Sequence, residues 1–345
     1  MNEKYVYSLI AVIILSLLAY VGVEALNMQV LFGIIIPYAA IIIFIAGFIK
    51  RIMGWAGSAV PFCIPTTCGQ QKSLEWVKDN KVDNPTTTGG VVLRMILEVL
   101  FFRSLFRNTR MSIHEGVKIA YRLEIFLWVG ALAFHYSFLT VLVRHLRFFT
   151  EPVPACIGML EKVDAFFQMG LPVIYMSGVV LLVAVVYLFL RRVFIPQVKY
   201  ISLAADFFPL FLIIGITLTG IFMRYITKVD IVQVKELTMG LATFHPGIPE
   251  GVGGIFYVHL FLISILFACF PFSKLMHMGG IFLSPTRNMR TDTRARRHVN
   301  PWNYPVHVHT YQEYEDEFRE KMIDAGLPVD KMPEEKPPEE SEEKE

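Results

Sequence analysis

The stretch LEIFLWVGALAFHYSFLTVLVRHL, residues 123–146, decides the fold because it is long and apolar enough to cross a membrane. A helix needs ~20 mostly apolar residues to span a hydrocarbon layer of ~30 Å. Five further stretches share this character, and they cover residues 5–25, 28–49, 171–190, 201–223 and 253–276. The sequence therefore predicts an all-α membrane protein, a bundle of six transmembrane helices.

The composition of the whole chain agrees with a membrane environment. Hydrophobic residues make up 54% of the 345 positions, charged residues only 18%, and the mean hydropathy is +0.50. Basic residues cluster between the apolar stretches and acidic residues crowd positions 311–345, so the charge pattern reports topology and excludes nucleic acid as an expected partner. The first stretch is expected to be a retained helix, because a second one follows it without a clear signal-peptide cleavage site.

Positive charge near the ends of the stretches predicts the orientation. Eleven lysines and arginines lie between Lys50 and Arg122, and basic residues mark the connections at 191–199 and 287–297 on the same side. Loops rich in lysine and arginine face the cytoplasm. We therefore expect both termini and a C-terminal tail to be cytoplasmic, in a multi-pass protein of the cytoplasmic membrane.

Four histidines lie in or beside two of the six stretches: His135, His145, His259 and His277. Ionisable residues are costly in a bilayer and usually functional there, and neutral imidazole is a good ligand for haem iron. Two helices that face each other therefore predict two haems, each held by one histidine from either helix. The chain has four cysteines but no Cys-x-x-Cys-His motif, so the haems are expected to be b-type. Ordinary hydrogen bonding between helices is the alternative role of each histidine.

Antiparallel helices predict which histidines share a haem. The third stretch runs outward and the sixth inward, so His145 pairs with His259 near the outer surface and His135 with His277 on the cytoplasmic side. At 1.5 Å per residue the ligands of one helix lie ~15 Å apart and those of the other ~27 Å apart, and the first two point ~80° away from each other. For the two histidines of each pair to lie at the same depth, a helix must therefore tilt or break, and Pro271 could supply such a break.

Three basic residues are candidates for binding near the outer pair. Arg144 and Arg224 are expected either to bind haem propionates or to extend toward lipid headgroups, and the sequence favours neither. We expect quinol to bind at the outer end, where Lys162 is a candidate ligand of a quinone oxygen, with a solvated loop lysine as the alternative. Cys63 and Cys68 are predicted to be structural thiols.

The segments outside the spans complete the predicted domain organisation. Residues 89–107 place Val92, Met95, Val99, Phe102 and Phe106 on one helical face, which favours a helix in the headgroup layer over a buried loop helix or a re-entrant membrane segment. The predicted divisions are two N-terminal spans over 1–50, a cytoplasmic loop over 51–118, a four-helix dihaem core over 119–280 and a tail over 281–345 whose acidic end is disordered.

Two sets of motifs resemble known families. The spacings His135-x9-His145 and His259-x17-His277 resemble the respiratory nitrate reductase gamma subunit family of dihaem cytochromes. The stretches PFCIPTTCGQQKSLEW (61–76), LFRNTR (105–110) and NPWNYPVHVHTYQEYEDEFREKMIDAGLP (300–328) resemble DsrM, the family of cytochrome b subunits in the DsrMKJOP complexes of sulfate reducers. The chain differs from the five-span nitrate reductase subunit by an additional N-terminal helix and a long cytoplasmic loop.

The resemblance implies an electron-transfer subunit of a quinol-dependent oxidoreductase complex, with two haem b groups and menaquinol as substrate. It also implies a cytoplasmic iron–sulfur partner related to heterodisulfide reductase (DsrK-like), other DsrMKJOP subunits and a place in sulfite reduction. The tail aromatics Trp302, Tyr304, Tyr311, Tyr314 and Phe318 suggest a partner-binding segment. A nitrate or heterodisulfide reductase subunit is the alternative within this class, and a transporter or anchor without haem is the alternative outside it.

Overall fold

The computed structural model describes residues 4–58, 60, 62–64, 69–114, 118–165, 173–296 and 307–332. The described chain is mostly helical, and six of its helical segments are long and apolar enough to cross a membrane, which confirms the predicted fold class. These six spans are Lys4–Glu24, Leu31–Ala56, Ile125–Phe148, Met176–Phe194, Ala204–Thr227 and Gly254–Phe272.

The spans begin and end within about five residues of the predicted limits, except that the second ends at Ala56 and not at residue 49. Their regular α-helices are α1 (Lys4–Glu24), α2 (Ile36–Ala56), α5 (Ile125–His145), α7 (Met176–Phe194), α9 (Ala204–Phe222) and α11 (Gly254–Cys269). Shorter helices connect them: α3 (Thr88–Phe101), α4 (Arg103–Phe106), α6 (Ala155–Asp164), α8 (Pro196–Ile201), α10 (Ile231–Ala242) and α12 (His277–Gly280). The predicted start of the fourth span, residue 171, lies outside the described residues.

The sixth span ends earlier than the sequence predicts. Its regular helix stops at Cys269, and a 3₁₀ turn over Phe270–Phe272 contains Pro271. Proline has no N–H to continue the helical ladder, and Ser273 is extended at φ −113° and ψ 176°. A second 3₁₀ turn, Lys274–Met276, leads into α12, so His277 lies beyond the span and not within it.

The helices pack into a bundle with an apolar centre. Helix α11 contacts α1, α2 and α9, while α5 packs on α7 and α7 on α9. Tyr257, Leu262 and Leu212 are fully buried where these helices meet. On the outside, large apolar side chains such as Ile42 (66% exposed) and Leu139 (54% exposed) face away from the protein. This distribution suits helices whose outer faces contact lipid.

The segment predicted as a cytoplasmic loop contains more structure than expected. Helix α3 ends at Phe102, which adopts the left-handed conformation (φ 50°), and α4 follows in a new direction. The single helix predicted over 89–107 is therefore two. After α4 comes an antiparallel hairpin, β1 (Thr109–His114) and β2 (Lys118–Leu123), in which Met111 pairs with Tyr121 and Ile113 with Ile119.

Residues 307–332 belong to a second compact unit, which is divided from the first after Arg296. Its helix α13, Tyr311–Asp324, begins with a capping box in which Thr310 and Glu313 bond each other's backbone N–H groups. The buried Glu315 accepts hydrogen bonds from the N–H groups of Asp330 and Lys331, which holds the following segment against the helix. Trp302, Tyr304 and the acidic end over 333–345 lie outside the described residues.

Candidate functional site

The four predicted histidine ligands face each other in two pairs. The ring centroids of His145 and His259 lie 6.5 Å apart with an interplanar angle of 21°. Those of His135 and His277 lie 5.9 Å apart with an angle of 86°. In each pair one histidine lies on α5, and its partner lies on α11 (His259) or on α12 (His277).

These separations fit two imidazoles that share one metal ion. A bond from a metal to an imidazole nitrogen is about 2 Å long, and the ring centroid lies roughly 1 Å further out. Two rings on opposite sides of one iron therefore have centroids roughly 6 Å apart. Both observed pairs match this value, so the donor set suits two haem groups with two histidine ligands each.

The hydrogen bonds of three histidines leave their Nε2 atoms available for a metal. In each, Nδ1 lies within hydrogen-bond distance of a backbone carbonyl in the preceding turn, and a carbonyl only accepts. Nδ1 therefore carries the proton, which is the usual arrangement of a histidine that ligates through its other nitrogen. The three bonds are His135 to Ala131 (2.8 Å), His145 to Val141 (2.7 Å) and His277 to Lys274 (2.8 Å).

In His259 the acceptor for Nδ1–H is a side-chain hydroxyl and not a backbone carbonyl. Its Nδ1 lies 2.8 Å from Oγ1 of Thr219 on α9. The single hydroxyl proton of Thr219 is directed to the backbone carbonyls of Gly215 (2.8 Å) and Ile216 (3.0 Å). The hydroxyl oxygen must then accept from His259 Nδ1–H, which again leaves Nε2 as the free donor atom. His259 is 8% exposed, so this bond lies in the protein interior.

The break in the sixth span positions His277. On a continuous helix, His277 would lie ~27 Å along the axis from His259, against ~15 Å between the two histidines of α5. The turns around Pro271 end the regular helix and return the chain to the level of His135. Lys274 supports this position twice, since its carbonyl accepts from His277 and its Nζ lies 2.7 Å from Asp206 Oδ1.

Arg144 and Arg224 meet at one tyrosine near the His145–His259 pair. Their Cζ atoms lie 3.2 Å and 4.2 Å from the ring centroid of Tyr175. Arg144 also pairs with the buried Asp164 at 2.8 Å, and Ser177 donates its N–H and hydroxyl to the same carboxylate. Arg144 therefore has an acidic partner, whereas Arg224 makes no ion pair among the described residues and donates only to the carbonyl of Val173, at 3.5 Å. Nε of each arginine has no hydrogen-bond partner in the described part of the chain.

The other candidates make no hydrogen bond, ion pair or ring contact with the four histidines among the described residues. Lys162 is exposed on α6, and it makes no ion pair within the described part of the chain. Cys63 is fully buried in the segment before α3, where burial raises the pKa of its thiol despite the positive charge of Arg94. A buried, protonated thiol suits the structural role predicted for it. Cys68 lies outside the described residues.

Several residues near the histidines were missed by sequence reasoning. Thr219 and Asp206 lie in the fifth span, where a hydroxyl and a carboxylate were the available signals. Phe102 contacts the ring of His135, with centroids 4.9 Å apart. Its contribution depends on the left-handed turn between α3 and α4, which no local sequence pattern indicated.

Comparison with known proteins places this arrangement in a family. Residues 96–294 match the family described as nitrate reductase gamma subunit. The Hdr-like menaquinol oxidoreductase cytochrome b-like subunit of Archaeoglobus fulgidus is 48% identical over 281 residues, which cover 79% of this chain and 84% of the relative. The protein of the same description from Archaeoglobus profundus is 41% identical over 276 residues, covering 78% and 81%.

A more distant relative comes from a bacterium. The respiratory nitrate reductase 1 gamma chain of Escherichia coli is 31% identical over 113 residues, which cover 30% of this chain and 50% of the relative. The family match includes α5, α7, α9, α11 and α12, and therefore all four histidines. This chain belongs to the nitrate reductase gamma subunit family.

Proposed function

We propose that this chain is the membrane haem b subunit of a menaquinol oxidoreductase complex and carries electrons through two haems. The observation that carries the proposal is the geometry of the two histidine pairs, with centroids 6.5 Å and 5.9 Å apart and Nε2 free in each ring. The names of the Archaeoglobus relatives, which describe a cytochrome b-like subunit and menaquinol, support the same cofactor and substrate.

The proposal gives each pair a place in the membrane. His145 and His259 hold the outer haem, and His135 and His277 hold the inner haem on the cytoplasmic side. A bound haem supplies reversible one-electron chemistry that no side chain of this protein offers. The chain's own residues fix the ligands: Thr219 and three backbone carbonyls hold Nδ1–H, so the rings cannot rotate away from the iron.

Arg224 is the better candidate of the two arginines for an outer haem propionate. Its guanidinium lies against Tyr175 and makes no ion pair among the described residues, whereas Arg144 is already paired with Asp164. A guanidinium binds a carboxylate through two parallel hydrogen bonds. Arg144 then acts indirectly, because it joins α6 to the end of α5 next to His145.

Quinol is proposed to be oxidised at the outer end, where released protons reach water. Lys162 is exposed there on α6 and remains the proposed ligand of a quinone oxygen. Electrons then pass from the outer to the inner haem and to a cytoplasmic iron–sulfur subunit related to heterodisulfide reductase. In this scheme the chain is the DsrM-type subunit of a sulfite-reduction complex.

Haem content and ligand variants test the proposal. The purified protein should contain two b haems per chain, measured as the pyridine haemochromogen against protein by amino-acid analysis. His259→Ala and His145→Ala should each remove the outer haem, and His135→Ala and His277→Ala the inner one. His245→Ala is the control, since its Nδ1 also bonds a carbonyl (Thr243, 2.7 Å) but no other histidine of the described residues is in ring contact with it. One haem or none in the unaltered chain refutes the proposal.

The identity of the complex is tested separately from haem binding. A DsrM-type subunit should co-purify with an iron–sulfur subunit related to heterodisulfide reductase and reduce it when menaquinol is supplied. The relation to the Escherichia coli gamma chain supports a nitrate reductase as the alternative complex. Co-purification of a nitrate-reducing subunit would select that alternative, and a colourless protein with no reduced b-type spectrum would favour a transporter or anchor.

A further inference from the structure

Helix α3 has its polar and apolar faces reversed relative to a helix in water. The face toward the protein carries Arg94, which is 3% exposed, and Glu98, which is 8% exposed. After the first turn, the exposed side chains of α3 are all large and apolar: Val92 (54% exposed), Leu93 (48%), Ile96 (47%), Leu100 (46%) and Phe101 (53%). A soluble loop helix would show the opposite arrangement, so the outer face of α3 suits lipid.

Contacts along α5 give the depth of this segment. The N–H of Glu124, just before α5 begins, donates to Asn108 at 3.0 Å. One turn further along, Trp128 contacts Phe106, with ring centroids 4.9 Å apart. At His135 the contact is Phe102, also at 4.9 Å. The chain from 108 back to 102 therefore runs alongside α5 into the span, and His135 lies ~15 Å along the helix from Ile125.

The end of α3 lies at the same depth. Tyr136 donates its hydroxyl to the carbonyl of Leu100 at 2.8 Å, and Trp128 donates Nε1–H to that of Phe101 at 2.7 Å. The last carbonyls of a helix have no partner within the helix, and in a hydrocarbon layer every backbone polar group needs one. Two side chains of a membrane-spanning helix supply those partners here.

We propose that Thr88–Phe106 is a re-entrant helical hairpin that enters the bilayer beside α5, with acyl chains covering the outer face of α3. Its tip, Phe102, lies about halfway across a ~30 Å layer, against His135. The turn between α3 and α4 is stabilised by Glu98, which accepts from the hydroxyl of Ser104 and, at 3.1 Å, from its N–H. The charged inner face is thereby kept away from lipid, and the segment shields the His135–His277 pair on this side.

Thiol accessibility measures the depth directly. Leu93→Cys, Ile96→Cys and Leu100→Cys lie in order along the outer face of α3. The full-length protein is reconstituted in phosphatidylcholine vesicles and treated with a membrane-impermeant maleimide during freeze–thaw, so that the reagent reaches both sides. Labelling is followed peptide by peptide with mass spectrometry, which separates the new thiol from the native cysteines. Leu139→Cys on α5 is the lipid-facing control, and Ile119→Cys on the β-hairpin is the water-facing control, with side chains 54% and 55% exposed.

A re-entrant hairpin predicts a gradient of reactivity. Leu100→Cys should react as slowly as Leu139→Cys and more than about tenfold more slowly than Ile119→Cys, because the thiolate does not form in hydrocarbon. Leu93→Cys should react faster than Leu100→Cys. Equal rates at positions 93, 96 and 100 would indicate a helix parallel to the surface and overturn the proposal. Rates at Leu100→Cys equal to those of Ile119→Cys would place α3 in water and overturn it as well. Phe101→Cys repeats the measurement if Leu100→Cys does not fold.

Discussion

Replacement of Thr219 by valine isolates one hydrogen bond of the proposed outer haem site. Valine has nearly the shape of threonine but lacks the hydroxyl that accepts from Nδ1–H of His259 at 2.8 Å. The other three ligating histidines bond backbone carbonyls, which substitution cannot remove. Thr219→Val is therefore the change that tests the orientation of a ligand while leaving the ligand in place.

The expected magnitude follows from burial. His259 is 8% exposed, so its Nδ1–H loses the Thr219 acceptor without gaining water, and an unpaired buried donor costs about 1–3 kcal/mol. Loss of such a partner typically lowers metal affinity about 10–100-fold, which corresponds to about 1.4–2.7 kcal/mol. The outer haem should therefore be released more easily, and the inner haem should be unchanged.

The potential of the outer haem should rise as well. A hydrogen bond from Nδ1–H makes the imidazole a stronger donor, which stabilises ferric more than ferrous iron. Each tenfold loss of that preference raises the one-electron potential by about 59 mV. A redox titration followed at the reduced b-type band, with haem counted per chain, measures both effects. Thr219→Ser is the control, because it keeps the hydroxyl.

Two outcomes would refute this reasoning. Thr219→Val with the haem content and both potentials of the unaltered protein would show that the hydroxyl does not orient a ligand. A change of potential confined to the inner haem, identified as the component that is lost in His135→Ala, would show that Thr219 acts on the other site. Thr219→Ser keeps the hydroxyl and should therefore resemble the unaltered protein in haem content and in both potentials.

Three further predictions test other parts of the structure. Gly220→Ala places a Cβ 3.3 Å from Cε1 of His259 and should weaken the outer haem in spectral titrations, whereas Gly178→Ala, with nothing within 4 Å, should not. Burial opposes ionisation of Asp83, but Arg107 and Arg103 hold its pKa below 3.8. The stability that these ion pairs contribute is therefore fully present above pH 3.8 and is lost as the pH falls through the folded pKa. Thermal stability should decline over that range in the unaltered protein but not in Asp83→Asn. Truncation after Arg296, where the two compact units divide, should keep both haems but abolish co-purification of the iron–sulfur subunit; a truncated chain that retains this partner would show the tail to be dispensable.

The sequence predicted the spans well because hydropathy is a local property. Six apolar stretches of ~20 residues became six helical spans, since a helix satisfies its backbone polar groups internally in lipid. The histidines were found for a related reason, as ionisable residues are rare in such stretches. The β-hairpin and the left-handed Phe102 escaped prediction because they depend on contacts with Gln197, His135 and Trp128 that are distant in sequence.

The geometry of the pairs could not be obtained from helix periodicity alone. A continuous sixth helix puts its two histidines ~12 Å further apart than those of α5, and α5 itself is regular from Ile125 to His145. The difference is absorbed at Pro271, where the sequence showed only that a break was possible. The contact that fixes the break comes from another helix, because Gly47 of α2 lies against the proline ring.

The close approach of Gly47 to Pro271 gives a last prediction, which tests whether the break positions His277. A Cβ at position 47 would lie 2.8 Å from Cβ of Pro271 and 3.2 Å from Cζ of Phe272, so Gly47→Ala overpacks the turn by about 1–3 kcal/mol. The displacement should reach His277 and weaken the inner haem, while His259, before the break, keeps the outer haem. Gly54→Ala in the same helix has nothing within 4 Å and gains up to about 1 kcal/mol of helix propensity. A redox titration of both variants decides: equal inner-haem content in Gly47→Ala and Gly54→Ala would mean that His277 is positioned by Asp206 and Lys274 without help from the packed proline.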